Sequence, residues 1–121
     1  MTGGDASAAR RALLRRAYAA YNQQDADGLV QLVSEDVDWP DGGGGRLHGR
    51  AAVRAYWLDQ WTRTRTHDEP LEVADTPDGR VAVRIEQVVR ALDGSVISTG
   101  RFVHLLQIEG ELIARLDIEP A

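Results

Sequence analysis

Beyond Thr66 the chain is a succession of branched-residue runs, LEVADT, RVAVRIEQVVRAL, SVISTGRFVHLLQI and ELIARLDIE, separated by the turn sequences PDG, DG and EG. Runs of this length joined by such short turns can only fold back on themselves, so they predict a meander of antiparallel hairpins. The first half of the chain has a different period. Leu13, Leu14, Ala17, Tyr18 and Tyr21 fall on one face of a helix, with Arg10, Arg11, Arg15 and Arg16 largely off it. Asp25 is placed to cap a short second helix carrying Leu29, Val30, Leu32 and Val33, ending before SEDV. A strand over Val37–Trp39 runs into Pro40 and four glycines, and Val53, Tyr56, Trp57 and Trp61 keep helical spacing in a third helix over Gly49–Thr62. Helices followed by a meander define an α+β domain with the helices on one face of a curved antiparallel sheet.

At 121 residues there is room for one core, so the expectation is a single domain over residues 1–121 with a disordered tail over 1–7. Net charge is -5, which argues against nucleic acid as the main partner, because phosphate binding requires a basic field. No run of 18 apolar residues is present to span a membrane, and the opening MTGGDASAARRALLRRAY lacks the apolar segment of a secretion signal, which gives a cytoplasmic expectation. The chain has no cysteine, which excludes disulfides, thiolate metal sites and a cysteine nucleophile. The three histidines, at 48, 67 and 104, have no paired ligand spacing, so no metal and no other cofactor is expected. The glycine tract in GGGGRLHGR has neither a following Lys-Ser/Thr pair nor GxGxxG spacing, and reads as a flexible connection to the third helix rather than a phosphate cradle.

The order of elements, the segment YNQQDADGLVQLVSEDVDW, the entry HGRAAVRAYW and the closing RFVHLLQIEGELIARLDIE resemble the nuclear transport factor 2-like superfamily, in its SnoaL-like and ketosteroid-isomerase-like branch. The resemblance covers nearly the whole chain. It implies a cone-shaped fold, three N-terminal helices packed on a strongly curved sheet that encloses a pocket, and a homodimer assembled through the sheet. It also implies a small apolar or aromatic ligand. Superfamily members include isomerases, cyclases, dehydratases, epoxide hydrolases and binding proteins, so function must come from the site.

Alignment with the isomerase pattern puts Asp41 at the position of the proton-moving carboxylate, with Asp38 as the alternative; a turn residue before glycines is the competing reading of Asp41. Tyr18 falls near the oxyanion-donor tyrosine, with Tyr21 its competitor on the same helix. The late-strand aspartate of that pattern is replaced here by His104, a departure that disfavours ketosteroid isomerisation itself. The SnoaL-like cyclase pattern accommodates His104 better, pairing it with Asp117 across the EG turn for acid/base chemistry, and on that reading the charge of Asp117 raises the pKa of His104 above about 6.5.

Strand alternation puts Arg115, Asp117 and Glu119 on one face of the last strand and Leu112, Ala114, Leu116 and Ile118 on the other. The resemblance implies that the charged face lines the pocket and the apolar face meets a partner sheet. Arg115 and Glu119 then flank Asp117 as substrate-binding groups, and an epoxide-hydrolase variant would use the three as a triad. Tyr21, Trp39, Trp57, Trp61 and Phe102 belong to the segments that close the pocket in the resembling fold and suit a flat ligand. The sequence does not say which face of the Val81–Leu92 strand meets the pocket, leaving Glu86 either a candidate acid or a surface residue.

Overall fold

The structure, a computed structural model, describes residues 2–121. The elements run α1 (Thr2–Asn22), α2 (Ala26–Val30), β1 (Val33–Pro40), β2 (Arg46–His48), α3 (Arg50–Gln60), β3 (Thr64–Asp75), β4 (Val81–Ala91), β5 (Val96–Glu109) and β6 (Leu112–Pro120). Helical backbone begins at Thr2, inside the stretch expected to be a tail; Met1 and the side chains of residues 2–6 lie outside the description.

The apolar stripe of α1 is buried through Leu13, Leu14, Ala17 and Tyr18, while Arg15 and Arg16 stay in water. Asp25 caps α2 by accepting from the Gly28 amide at 3.0 Å. That helix ends at Val30, earlier than the apolar pattern predicts, because Leu32 and Val33 are taken by the sheet: Leu32 O accepts from the Ile113 amide at 2.9 Å, and Val33 pairs with Ile113. Two adjacent apolar residues continue a helical stripe or begin a strand equally well, and here tertiary pairing decides.

The six strands form one sheet in the order β2-β1-β6-β5-β4-β3. All junctions are antiparallel except β1 with β6, which is parallel, so the sheet is mixed rather than wholly antiparallel. The helices cover one face. There Trp57 and Val53 of α3 and Leu13 of α1 pack over Val81, Val83 and Ile85 of β4, Leu106 of β5 and Ile113 of β6, all essentially excluded from water. The opposite face of β4 carries Arg84 and Glu86, both exposed, which settles the orientation of that strand and makes Glu86 a surface residue.

The glycine tract does not lead directly into α3. It closes a hairpin between β1 and β2, in which Asp38 pairs with His48 and Pro40 with Arg46. The Asp41 carboxylate organises the turn, Oδ1 accepting from the amides of Gly43 at 2.7 Å and Gly45 at 2.9 Å. Gly42 and Gly44 have φ of 82° and 91°, a region in which a side chain is strained, so glycines are needed there for backbone shape.

Candidate functional site

Between the helices and the covered face of the sheet lies a cavity of about 620 Å³. Tyr18 and Tyr21 of α1, Trp39 of β1, Tyr56 and Trp57 of α3, and Phe102 and Leu106 of β5 supply most of its wall. Besides the tyrosines, six polar or charged residues interrupt this lining within the sheet and helices: His104 on β5, Asp68 on β3, Gln87 on β4, Gln60 on α3, Arg46 on β2 and Asp117 on β6.

His104 sits opposite Val83 on one side and Ile118 on the other, at the middle of the covered sheet, and is 5% exposed. Its Nδ1 lies 2.7 Å from the Tyr18 hydroxyl, with the two ring planes within 8° of each other. Burial holds the His104 pKa down at about 4, so the ring is neutral at pH 7. Burial, and secondarily the charge of Asp68, raises the pKa of Tyr18, which therefore keeps its proton. Among the described residues that hydroxyl has no other partner. Donating to Nδ1 satisfies it, and the ring proton is then on Nε2. The buried polar atoms sealed away without a partner among the described residues are Ser34 Oγ, Trp57 Nε1 and Trp61 Nε1. Nε2 of His104 is not one of them and has no protein partner among the described residues, so it presents an N–H to the cavity.

Asp68 is the second polar centre. It is also 5% exposed, and its position is fixed from two sides. Asn22 at the end of α1 clamps its backbone, donating from Nδ2 to Asp68 O at 3.0 Å and accepting from Asp68 N at 2.9 Å. Gln87, its cross-strand neighbour, donates to Oδ1 at 3.0 Å. Oδ2 has no protein partner among the described residues and is not sealed off. Burial raises the carboxyl pKa against the opposing pull of the Gln87 hydrogen bond and the His67 charge.

Of the expected catalytic set, the structure brings Tyr18 and His104 together and leaves the two aspartates apart from them. Asp117 faces Leu105 across the β5–β6 ladder, one position out of phase with His104 and Ile118, so its side chain leaves the opposite face of the sheet. It is bound there by arginines: Arg115 Nε donates to Oδ2 at 2.8 Å, Arg46 Nη1 to Oδ1 at 3.2 Å, and Arg80 Nη1 is 3.6 Å away. The Arg115 hydrogen bond leads the interactions that hold its pKa below the usual carboxylate value, against a smaller opposing effect of burial. The expected His104–Asp117 pair is therefore not formed, and the pKa of His104 is lowered rather than raised.

The face assignment of β6 is also the reverse of that expected. Leu116 and Ile118 turn to the cavity, and Arg115 and Glu119 to the outside with Asp117. A register shift between Gln107 and Ile108 lets Ile113 and Leu116 both point inward although they are three residues apart, which simple alternation does not allow. Of the Asp117–Arg115–Glu119 triad only Asp117 borders the cavity, next to Arg46, and its carboxylate is taken by Arg46 and Arg115; Arg115 and Glu119 do not line it, so the triad is not assembled there. Asp41 is occupied by its own loop, and Asp38 by Arg46 Nε and Arg115 Nη1, each at 2.7 Å. Both Tyr18 and Tyr21 line the cavity, so neither excludes the other. Trp39, Trp57 and Phe102 line it as expected, whereas Trp61 lies behind, stacked on Trp57.

Sequence reasoning missed Asp68, Gln87, Gln60, Tyr56 and Arg46. The signal for Asp68 was present in TRTHDEP, where Thr64, Thr66, Asp68 and Pro70 alternate inward against exposed Arg65, His67 and Glu69. A strand whose inner face is polar carries no hydrophobic alternation to find.

Three helices over a curved six-stranded sheet, with an aromatic cavity between them, make this an α+β domain with an enclosed pocket. The SnoaL-like domain model matches residues 14–116, and the chain belongs to that family. Among curated proteins there is no significant match. Solved structures of the same fold include TerC co-crystallised with polyporic acid, 24% identical over 93% of this chain and 92% of that one with a TM-score of 0.78. A Sinorhizobium meliloti protein assigned provisionally as a polyketide cyclase is 24% identical, with coverage of 88% and 93% and a TM-score of 0.75. A Catenulispora acidiphila protein of ketosteroid isomerase-like fold, solved with trimethylamine, is 15% identical, with coverage of 90% and 85% and a TM-score of 0.77. No helix among the described residues is long and apolar enough to cross a membrane.

Proposed function

We propose that the protein is a cofactor-free small-molecule enzyme acting on an apolar carbonyl or polycyclic compound by isomerisation, cyclisation or dehydration. The observation that carries this reading is the neutral Tyr18–His104 pair, whose Nε2–H opens into an aromatic cavity. A neutral imidazole with a pKa near 4 is a poor base but a good fixed donor, able to hold a carbonyl oxygen and the negative charge that develops on it. The relative crystallised with polyporic acid, and the one assigned provisionally as a cyclase, support the same class of ligand.

A carrier without catalysis is the second reading, favoured by the absence of the His104–Asp117 pair. The two separate on one experiment. 2-Tetralone, a flat ketone with exchangeable α-protons, is incubated with the protein in deuterium oxide and followed by NMR. Exchange at least tenfold faster than in buffer, reduced by Tyr18→Phe, supports the enzyme. Perturbation of the His104 ring signals without faster exchange identifies a carrier.

The same reading includes a cytoplasmic homodimer joined through the sheet. Support comes from the outer face, where Ala82, Val88, Val103 and Leu105 are only partly covered, and from Leu71, Val96 and Ile97, which are exposed on the long hairpins.

A further inference from the structure

Two cavity atoms, His104 Nε2 and Asp68 Oδ2, have no protein partner among the described residues and are opposite in character, and together they describe the ligand more closely than the fold does. At the centre of the sheet, His104 offers a neutral N–H. On β3, Asp68 offers a carboxylate oxygen, and among the described residues no arginine or lysine is paired with it. The contrast with the other carboxylates near the cavity is chemical. Asp38 and Asp117 are each held by Arg46 and Arg115, so their charge is already neutralised. Asp68 has one neutral hydrogen bond, from Gln87, for one of its two oxygens. A buried carboxylate in an apolar setting is costly unless a cation meets it, and among the described residues no side chain forms an ion pair with Asp68, the exposed His67 acting on it only through its charge. The walls around it suit one. Tyr18 and Tyr21 approach closely enough to feel its charge, and phenol and indole faces attract ammonium groups.

We propose that the cavity recognises a ligand bearing a protonated amine, which docks on Asp68 Oδ2 while an acceptor at the other end of an apolar frame meets Nε2–H of His104. This rests on the reading of the cavity as a small-molecule site and narrows its ligand to an aryl or alicyclic amine. Gln87 is a positioning residue, since its amide holds Oδ1 and leaves Oδ2 turned to the cavity. Asn22 positions the same strand through its two backbone hydrogen bonds.

Three probes of one shape test it: 2-phenylethylamine, 2-phenylethanol and 3-phenylpropionate, titrated at pH 8 against the full chain and followed through the indole NMR signals of Trp57 and Trp39. The amine is expected to bind about 10- to 100-fold more tightly than the alcohol, as a charged hydrogen bond replaces a neutral one, and the carboxylate more weakly than both. Asp68→Asn, nearly isosteric, should reduce the amine to the level of the alcohol without weakening the alcohol itself. Retention of the alcohol shows that the variant is folded. Gln87→Met keeps the carboxylate and should keep a preference for the amine, which separates the charge from mere integrity of β3. Equal binding of amine and alcohol by the wild type, or a preference that survives Asp68→Asn, overturns the amine assignment and leaves the small-molecule cavity standing. If none of the three probes perturbs the cavity signals, the reading of the cavity as a ligand site fails, and the amine assignment with it.

Discussion

His104 shows how one buried side chain couples chemistry to stability. Its pKa in the fold, about 4, lies below the roughly 6.5 of an unfolded chain, so as pH falls the unfolded state takes up the proton first. The stability that this group supports is complete above pH 6.5 and is lost on the way down to about pH 4. The loss is on the order of 3 kcal/mol, a shift of roughly 2.5 units at 1.36 kcal/mol each. Asp68 acts in the opposite direction, because burial raises its pKa and its protonation at low pH favours the fold. Comparing urea unfolding of the wild type with that of His104→Gln at pH 7.5 and pH 4.5 cancels the contribution of Asp68. The wild type's advantage at pH 7.5 should shrink by about 2.5 kcal/mol at pH 4.5; an advantage independent of pH would mean that His104 binds its proton equally well in the folded and unfolded states, and the burial argument would fail. Tyr18→Phe leaves Nδ1 without its donor and should cost about 1–2 kcal/mol at neutral pH in the same assay.

Among the elements, the β1–β2 hairpin depends most on a single side chain. Beyond Asp38, β1 no longer pairs with β6, and the guanidinium of Arg46 takes up the backbone groups left between them. Its Nη2 donates to Leu116 O at 2.7 Å and Asp38 O at 3.2 Å, while Nε holds the Asp38 carboxylate. A lysine has one donor centre and cannot span these acceptors. Arg46→Lys should therefore destabilise the protein by about 1–3 kcal/mol and, because Trp39 and Pro40 form part of the cavity wall, weaken probe binding; thermal unfolding and the NMR titration check the two effects. Nothing in GGGGRLHGR marked Arg46 as a strut. Its acceptors lie 8 and 70 residues away, and only the arrival of β6 beside β1 makes them neighbours.

At the scale of the whole molecule, the sheet puts its charged surface outward. Arg84, Glu86 and Arg101 alternate with Ala82, Val88, Val103 and Leu105 on the face away from the helices, so a dimer through that face would be polar and modest in area. Light scattering at micromolar concentration should give twice the mass of the chain, and the dimer should weaken as salt is raised; a monomer at every concentration would overturn the assembly.

Local pattern determined the three helices and the hairpin meander, because each depends on neighbours within a turn of helix or a pair of strands, and composition alone excluded thiol chemistry; the aromatic lining was an implication of the family resemblance. The resemblance to a known family singled out Tyr18 and His104 separately, but paired His104 with Asp117; that Tyr18 and His104 meet is seen only in the tertiary structure. What the sequence could not give was which face of β6 meets the cavity: Arg115, Asp117 and Glu119 do alternate with Leu116 and Ile118, but alternation does not say which set turns inward, and the resemblance assigned the charged one. Nor could the sequence separate the carboxylates held by arginines or glycine amides from the one that keeps an oxygen turned to the cavity. Asp38, Asp41, Asp68 and Asp117 are the same residue in a sequence. Only the tertiary structure assigns arginines to two of them, glycine amides to the third and a cavity to the fourth. Charge compensation acts through space at distances of 3 to 4 Å, and along this chain such partners are as many as 77 residues apart.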